Sequence, residues 1–388
     1  MTDGSSPAGT EASESNSESD LDPESDPESD PDPESKFDLD AEVPADEVRA
    51  MVESLKPAWE VESITRSPHG TDFVAFLDVQ TPEGSRRTVL KATTAGLVPP
   101  EIARAEPRLL ELVGRETDIP VPEVYGFRDD HDSYPAPYYL MEFVRGENYE
   151  DDPGKLSPAA QERIVREAGR NLAALHDLGP LPAVGMVGVQ DGELTVLDTD
   201  DHPRYEDTRE KVLAGCESTL DNLEEGGFFP DLADDPERFV DLVPELRALV
   251  RERIPALPEP DPPTYCHMDY RYGNLLVDPD TGATRAVIDW ARLSAADPAQ
   301  NLASAESLLL DERRDGPERT EFLRQTFRDA YADARNGWSF DQSVCERIEG
   351  YRLDCRLAAM ACLPLWYEDP EERDVRERKL REFFAEFL

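Results

Sequence analysis

Asp269, Asn274 and Asp289 are set apart from the chain's many other acidic and amide residues by the pattern that holds them. Residues 267–290 read HMDYRYGNLLVDPDTGATRAVIDW. An Asp and an Asn lie five apart in a polar stretch, followed by an apolar run at 275–277, a DPDTG turn and a second apolar run at 286–288 that ends at Asp289. Two apolar runs about an Asp- and Gly-bearing turn predict a β-hairpin. A hairpin returns the end of its second strand beside the start of its first, so Asp289 is expected close to Asn274 and Asp269. Three oxygen-bearing side chains would then converge. One or two carboxylates with an amide oxygen suit a Mg²⁺ ion that is itself bound to nucleotide phosphates, and a remaining carboxylate can accept a proton. The plainer alternative is an Asp-rich protein scattering such residues through hairpins and caps. The joint spacing of all three is far more selective than any one of them.

The arrangement resembles the catalytic core of the aminoglycoside phosphotransferase and choline kinase group, small-molecule kinases with a protein-kinase-like fold, whose members usually read HGDLHPGN, then a hairpin, then IDW or IDF. The resemblance implies that Asp269 is the catalytic base, that Asn274 and Asp289 are Mg²⁺ ligands and that His267 braces the loop. Met268, Tyr270, Arg271 and Tyr272 stand where Gly, Leu, His and Pro are usual. These departures leave the metal ligands in place and bear on the substrate instead. Serine/threonine protein kinases carry Lys at the position of Arg271. An Arg there offers a planar pair of N–H donors to two oxygens of a transferring phosphoryl group, while pairing with a nearby carboxylate is the alternative.

A loop of this kind needs a second set of elements to hold the phosphates. Residues 73–79, a TPEG turn at 81–84 and residues 88–92 predict a hairpin whose second strand carries Lys91. A lysine on a mostly apolar strand is costly unless its charge is partnered, and a carboxylate plus phosphate oxygens would partner it; a snorkelling edge residue is the alternative. Under the resemblance Lys91 touches the α and β phosphates and is paired from the following helix. Glu106 matches that placement best, against the objection that Pro107 disfavours a helical residue before it, and Glu101 is the fallback. The loop at 67–72, SPHGTD, would cover nucleotide phosphates, yet its single glycine, Gly70, reads by itself as an ordinary turn. Residues 137–147, PYYLMEFVRGE, read as a buried strand and a chain leaving the sheet. They resemble the family's hinge, where the backbone of Glu142 and Val144 would pair with the adenine edge.

Further elements frame this pair of sites. Val48, Met51, Val52 and Leu55 follow one helical face. Ser157 and Pro158 open a helix lined by Ile164, Val165, Ala168, Leu172 and Leu175, and His176 reads as its last residue. Residues 178–258 carry mostly amphipathic helical pattern with Pro and Gly breaks. DPAQNLA at 297–303 reads as a capped helix start, with Asn301, where the family usually has a second Asp, given a capping role. Trp338, Trp366 and Tyr367 read as core or as pocket walls. The expected fold is α+β: a disordered acidic tail at 1–40, a strand-rich N-lobe at 41–146 and a helical C-lobe at 147–388.

Composition bounds the remaining choices. The 388 residues carry a formal charge of −46; fourteen Asp or Glu and one Lys fall in residues 1–40, so −13 sits there and −33 on the rest. Acidity is therefore a property of the body as well as of the DPESDPESDPDPES stretch, and with six lysines among 40 basic residues it resembles the composition of a halophile. At about 1 M salt the Debye length is roughly 3 Å, which screens such self-repulsion. The melting temperature is accordingly expected to climb steeply from low salt to molar KCl, and to do so almost unchanged after deletion of residues 1–40. A flat thermal-melt response would return the acidity to evidence about cationic ligands.

No basic stripe suggests a nucleic-acid partner. Five cysteines without a CxxC pair suggest neither a disulfide framework nor zinc. An acidic N-terminus and the lack of a long apolar run predict a cytoplasmic protein with no membrane partner. The expected function is ATP-dependent phosphorylation of a small-molecule hydroxyl, with ATP and Mg²⁺. A nucleotide-binding regulator that has lost catalysis, to which the lone Gly70 and the altered HMDYRYGN point, stands beside it, as does a metal-dependent hydrolase using the same acids. No APE-like element follows Asp289, which argues against a protein kinase.

Overall fold

The hairpin about the TPEG turn forms as β2 (Phe73–Thr81) and β3 (Gly84–Ala92). Phe73, Ala75, Leu77 and Val79 of β2 are all buried and the residues between them are less so, the period-two pattern of a half-buried strand. With β1 (Glu60–Arg66), β4 (Val124–Arg128) and β5 (Tyr138–Glu142) they make an antiparallel sheet in the order β1-β2-β3-β5-β4. The helix α1 (Ala45–Leu55) lays Val48, Met51 and Val52 on this sheet and completes a separate small core. This computed structural model describes residues 43–67, 72–94, 98–150 and 152–388. The tail expected at 1–40 and the loop glycine Gly70 lie outside the described residues.

Between β3 and β4 run α2 (Pro100–Ala103) and α3 (Ala105–Glu116). Pro107 falls in the first turn of α3 and Glu106 before it is helical all the same, so the bias that proline places on its preceding residue is overridden here. The edge strand β4 begins only at the end of the stretch 119–124, whose two prolines break any strand pattern before it.

The second lobe is helical around one large core. The helix α4 (Pro158–His176) is capped by Ser157, whose Oγ accepts from the Ala160 N–H, and buries Ile164, Val165, Ala168, Leu172 and Leu175 as their spacing requires. The expected helical pattern over 178–258 needs correction. It contains β6 (Gly185–Gln190) and β7 (Glu193–Val196) before α5 (Thr208–Glu224) and α6 (Val243–Arg253). The Asp191-Gly192 pair joins β6 to β7 with both residues at positive φ, a turn signal that the glycines of β6 and its short length obscured.

Next come β8 (Thr264–His267), β9 (Leu275–Val277), β10 (Thr284–Val287) and β11 (Leu293–Ala296). β9 and β10 pair as the expected hairpin, while β8 and β11 join β6 and β7 in a four-stranded sheet. After them follow α7 (Pro298–Leu309), α8 (Glu312–Asp315), α9 (Pro317–Ala334), α10 (Gln342–Ala361), α11 (Leu363–Trp366) and α12 (Pro370–Ala385). The molecule is thus a two-lobed, protein-kinase-like α+β fold. Among the described residues no helix is long and apolar enough to cross a membrane, and all five cysteines are free thiols.

The lobes meet where the chain leaves β5. Glu147 bridges Val277 of β9 through paired backbone hydrogen bonds of 2.8 and 2.9 Å. Gly146 permits this approach, since a Cβ there would lie 2.9 Å from the Leu276 Cβ. The β9–β10 hairpin is thereby stitched to the chain leaving β5 of the first lobe.

Candidate active site

The sheet carrying β8 delivers the loop, and the hairpin carries its end back. Ile288 N–H donates to the Asn274 carbonyl at 2.9 Å, which brings Asp289 beside the loop as the hairpin argument required. Asp289 then adopts φ 61°, a left-handed conformation uncommon outside glycine and better tolerated by Asp and Asn than by bulkier residues. That turn aims its carboxylate at Lys91, whose Nζ lies 3.6 Å from Oδ1.

Lys91 itself is committed to Glu106 at 2.8 Å, and Glu106 Oε1 accepts the Trp290 N–H at 3.1 Å. One buried glutamate thus joins the first-lobe sheet to the residue after Asp289. Glu101, the fallback partner, instead faces His202 at 3.7 Å. Burial alone would push the Lys91 ammonium down, but Glu106, Tyr139 and Asp289 outweigh it and hold it well above its ordinary value. Asp289 is lowered: burial would raise it, and Lys91, His267 and Arg271 prevail. The Tyr139 hydroxyl, which the sequence did not flag, lies buried against Glu106, Lys91 and Asp289, and burial with the Glu106 carboxylate raises it well above its ordinary value.

On the other side, Asn274 Nδ2 donates to the Asp269 carbonyl at 2.8 Å and to its Oδ2 at 2.9 Å. Arg271 lies over the same carboxylate, with Nε 3.0 and 3.1 Å from its two oxygens and Nη1 2.7 Å from Glu150 Oε1. His267 is buried between the rings of Tyr270 and Trp290 and its Nε2 lies 3.3 Å from the Ile288 carbonyl, so it ties the loop to the residue just before Asp289. Burial keeps its imidazole below the ordinary value against the pull of Asp269 and Asp289.

Asn301 does not cap its helix; Asp297 does, accepting from the Ala299 N–H at 3.0 Å. Asn301 Nδ2 donates instead to the His267 carbonyl at 2.8 Å, and Ser304 Oγ donates to the Met268 carbonyl at 2.7 Å. The Asn301 Oδ1 therefore faces His176 and accepts a hydrogen bond from its Nε2–H at 3.0 Å, leaving Nδ1 to accept from the Tyr331 hydroxyl at 2.7 Å. His176 does end α4, but it is a buried support of the loop. The signal for this was the apolar face on which it lies, one turn after Leu172.

Burial pushes the His176 imidazole down to about 3 from 6.5, and the neighbouring Arg335 adds to this while Asn301 opposes it. A depressed base is neutral in the folded chain and protonated in the unfolded one below pH 6.5. Its contribution is fully present above that pH and is lost as pH falls toward 3. Between pH 6.5 and 5.5 the wild type should lose about 1 kcal/mol more than His176→Gln in urea unfolding, by linkage of one proton. Equal losses would show that His176 takes up no proton on unfolding.

The donor set fits a divalent cation shared with phosphates. With both amide hydrogens of Asn274 turned to Asp269, its carbonyl oxygen is left as an acceptor, and Asp289 supplies one carboxylate. No cluster of three or more His, Cys, Asp or Glu that could hold a metal exists among the described residues. Glu142 ends β5 with its N–H donated to the Glu123 carbonyl at 2.8 Å, and Val144 follows two residues on.

The model of the phosphotransferase enzyme family matches residues 63–338. The mouse protein Acyl-CoA dehydrogenase family member 10 is 25% identical over 227 residues, 56% of this chain but only 18% of that protein. Among solved structures, the aminoglycoside phosphotransferase APH(4)-Ia in ternary complex with AMP-PNP and hygromycin B is 16% identical, with a TM-score of 0.52 over 87% of this chain and 98% of that one. The GDP and kanamycin complex of the aminoglycoside phosphotransferase APH(2")-IIIa is 14% identical, with a TM-score of 0.55 over 88% of this chain and 99% of that one.

Proposed function

We propose, from the premise that this chain belongs to the phosphotransferase enzyme family, that it moves the terminal phosphoryl group of ATP to a hydroxyl of a small molecule. The observation that carries this reading is the convergence of two groups of side chains. Lys91, Glu106 and Asp289 form one, and Asp269 with Asn274 the other, and the hairpin that returns Asp289 beside Asn274 brings the two together. The nucleotide-bound structures of similar fold support a nucleotide site between the lobes.

In this reading Asp269 orients the acceptor hydroxyl and takes its proton as the acceptor oxygen bonds to the terminal phosphorus and the bridging oxygen leaves with ADP. Lys91, kept charged by Glu106, holds the α and β phosphates. Asn274 and Asp289 would hold Mg²⁺, which when bound neutralises phosphate charge. The chain from Glu142 to Val144 offers backbone groups to the adenine edge, the Glu142 N–H excepted because the Glu123 carbonyl accepts it, and His267 keeps the loop in register with Asp289. Most of the rate then comes from positioning and charge placement.

A second reading draws on one observation: Arg271 already covers both oxygens of Asp269, as a silenced nucleotide-binding regulator would allow. ADP release with Mg²⁺ and molar KCl, measured against sugars, amino alcohols, hydroxy acids and aminoglycosides, separates the two. Acceptor-dependent ADP release supports the kinase. Nucleotide binding with no release for any acceptor supports the regulator, and phosphate release without an acceptor supports a hydrolase.

A further inference from the structure

An arginine and a carboxylate left to themselves commonly meet through two parallel N–H···O bonds, one donor to each oxygen. Asp269 and Arg271 do not. The base receives a single donor, the Nε–H, shared between Oδ1 and Oδ2 at 3.0 and 3.1 Å, while Nη1 is turned away to Glu150 Oε1 at 2.7 Å. One guanidinium is thus divided between two carboxylates. Asn274 donates to Oδ2 at 2.9 Å as well, so Oδ1 keeps a lone pair that no donor among the described residues claims.

Glu150 owes its place to contacts that do not use its charge. The chain leaving β5 reads ENYE at 147–150, and its Glu147 pairs by backbone with Val277. One residue on, Asn148 holds both sides: its Nδ2 donates to the Gly273 carbonyl, and its Oδ1 accepts the Glu150 N–H at 2.9 Å. Asn148 therefore sets Glu150 beside Gly273, two residues after Arg271.

The glycine completes the arrangement. A Cβ at 273 would lie 2.1 Å from Arg271 Nη1 and 2.6 Å from Glu150 Oε2, so the ion pair fills the space a side chain would take. An amide bracket, a missing Cβ and a close ion pair converge on one guanidinium. A lone exposed pair on mobile side chains has no such support and contributes little.

We propose that Glu150 is a positioning residue that acts through Arg271. By holding Nη1 it keeps the guanidinium from closing on Asp269 with two donors, which leaves the base open to the acceptor hydroxyl and Nη2 open to the phosphoryl oxygens. This rests on the phosphotransferase reading. It also limits the cover of Arg271 over Asp269, a limit that a silenced regulator would not require.

The test joins kinetics to a readout that needs no turnover. Glu150→Gln keeps the shape and removes the charge, and Gly273→Ala displaces the two side-chain ends while leaving both charges in the chain. In the full chain with Mg²⁺, each should lower kcat about ten-fold with a change in KM for ATP under about two-fold. Added to Arg271→Ala, Glu150→Gln should cost less than about two-fold more, because the group it acts through is gone. In protein labelled with ¹⁵N-arginine, the Arg271 Nε–H resonance, identified by its loss in Arg271→Lys, should move in both variants. An undiminished kcat in Glu150→Gln, or a full ten-fold loss in the Arg271→Ala background, would overturn the proposal. A resonance that stays in place in both variants would overturn it too, while acceptor-dependent ADP release by the wild type keeps the kinase reading. A resonance that moves in both, with no ADP release from the wild type for any acceptor, supports Glu150 as the brace of Arg271 and sinks the kinase reading instead.

Discussion

Asp269→Asn should lower turnover by roughly 10² to 10⁴ while ATP affinity stays near that of the wild type. The two quantities separate because they reside on different side chains. In the proposed reading Lys91, Asn274 and Asp289 face the phosphates, and each keeps a contact that survives the change: Lys91 to Glu106, Asn274 to the backbone carbonyl of residue 269, Asp289 through the turn after the Ile288–Asn274 hydrogen bond. In the same reading Asp269 is the carboxylate left for the proton. An amide in its place keeps the shape and one oxygen for Asn274 or Arg271, but it cannot take up a hydroxyl proton. ADP release and fluorescent-nucleotide binding on the same preparations decide the matter. Unchanged turnover would remove Asp269 from the mechanism.

The site was more legible than its surroundings because a catalytic group must sit at a fixed offset from a local element. Asp269, Asn274 and Asp289 are set by one hairpin whose turn and apolar runs are written into 267–290, so sequence alone could bring them together. Lys91 and Glu106 were legible for a related reason, since an isolated lysine on an apolar strand demands a carboxylate nearby. The supports were not. Asn301 and His176 act across 34 and 125 residues of chain, and no local pattern encodes such a contact. In the fold, α1, β2, β3 and α4 followed their periodicity. β6 to β8 and β11 are four to six residues long, too short for alternation to distinguish a strand from a helix fragment, and only the Asp191-Gly192 turn betrayed them.

Arg271→Ala should cost about 10² to 10³ in kcat with a modest change in KM for ATP. The side chain is placed for more than a surface pair. Its Nε lies on both oxygens of Asp269 and its Nη1 on Glu150, while Nη2 has no ion pair or hydrogen bond among the described residues. The guanidinium is thereby fixed beside the base with donors to spare, pre-set to meet two oxygens of a phosphoryl group as charge moves toward them. Gly273 leaves room for it: a Cβ there would lie 2.1 Å from Nη1 and 2.6 Å from Glu150 Oε2, so any side chain would displace the pair. An ordinary exposed ion pair predicts something different, a stability loss under about 1 kcal/mol and near-normal turnover in molar KCl, where such pairs are screened. Arg271→Lys sharpens the comparison, since it keeps the charge and loses the planar fork. A clamp that works through paired donors leaves the lysine variant well below wild type, whereas one that works through charge alone lets it recover most of the rate. Steady-state kinetics of both variants in high KCl reads the difference, and a kcat within a few-fold of wild type for both would end the case for Arg271 as a phosphate clamp.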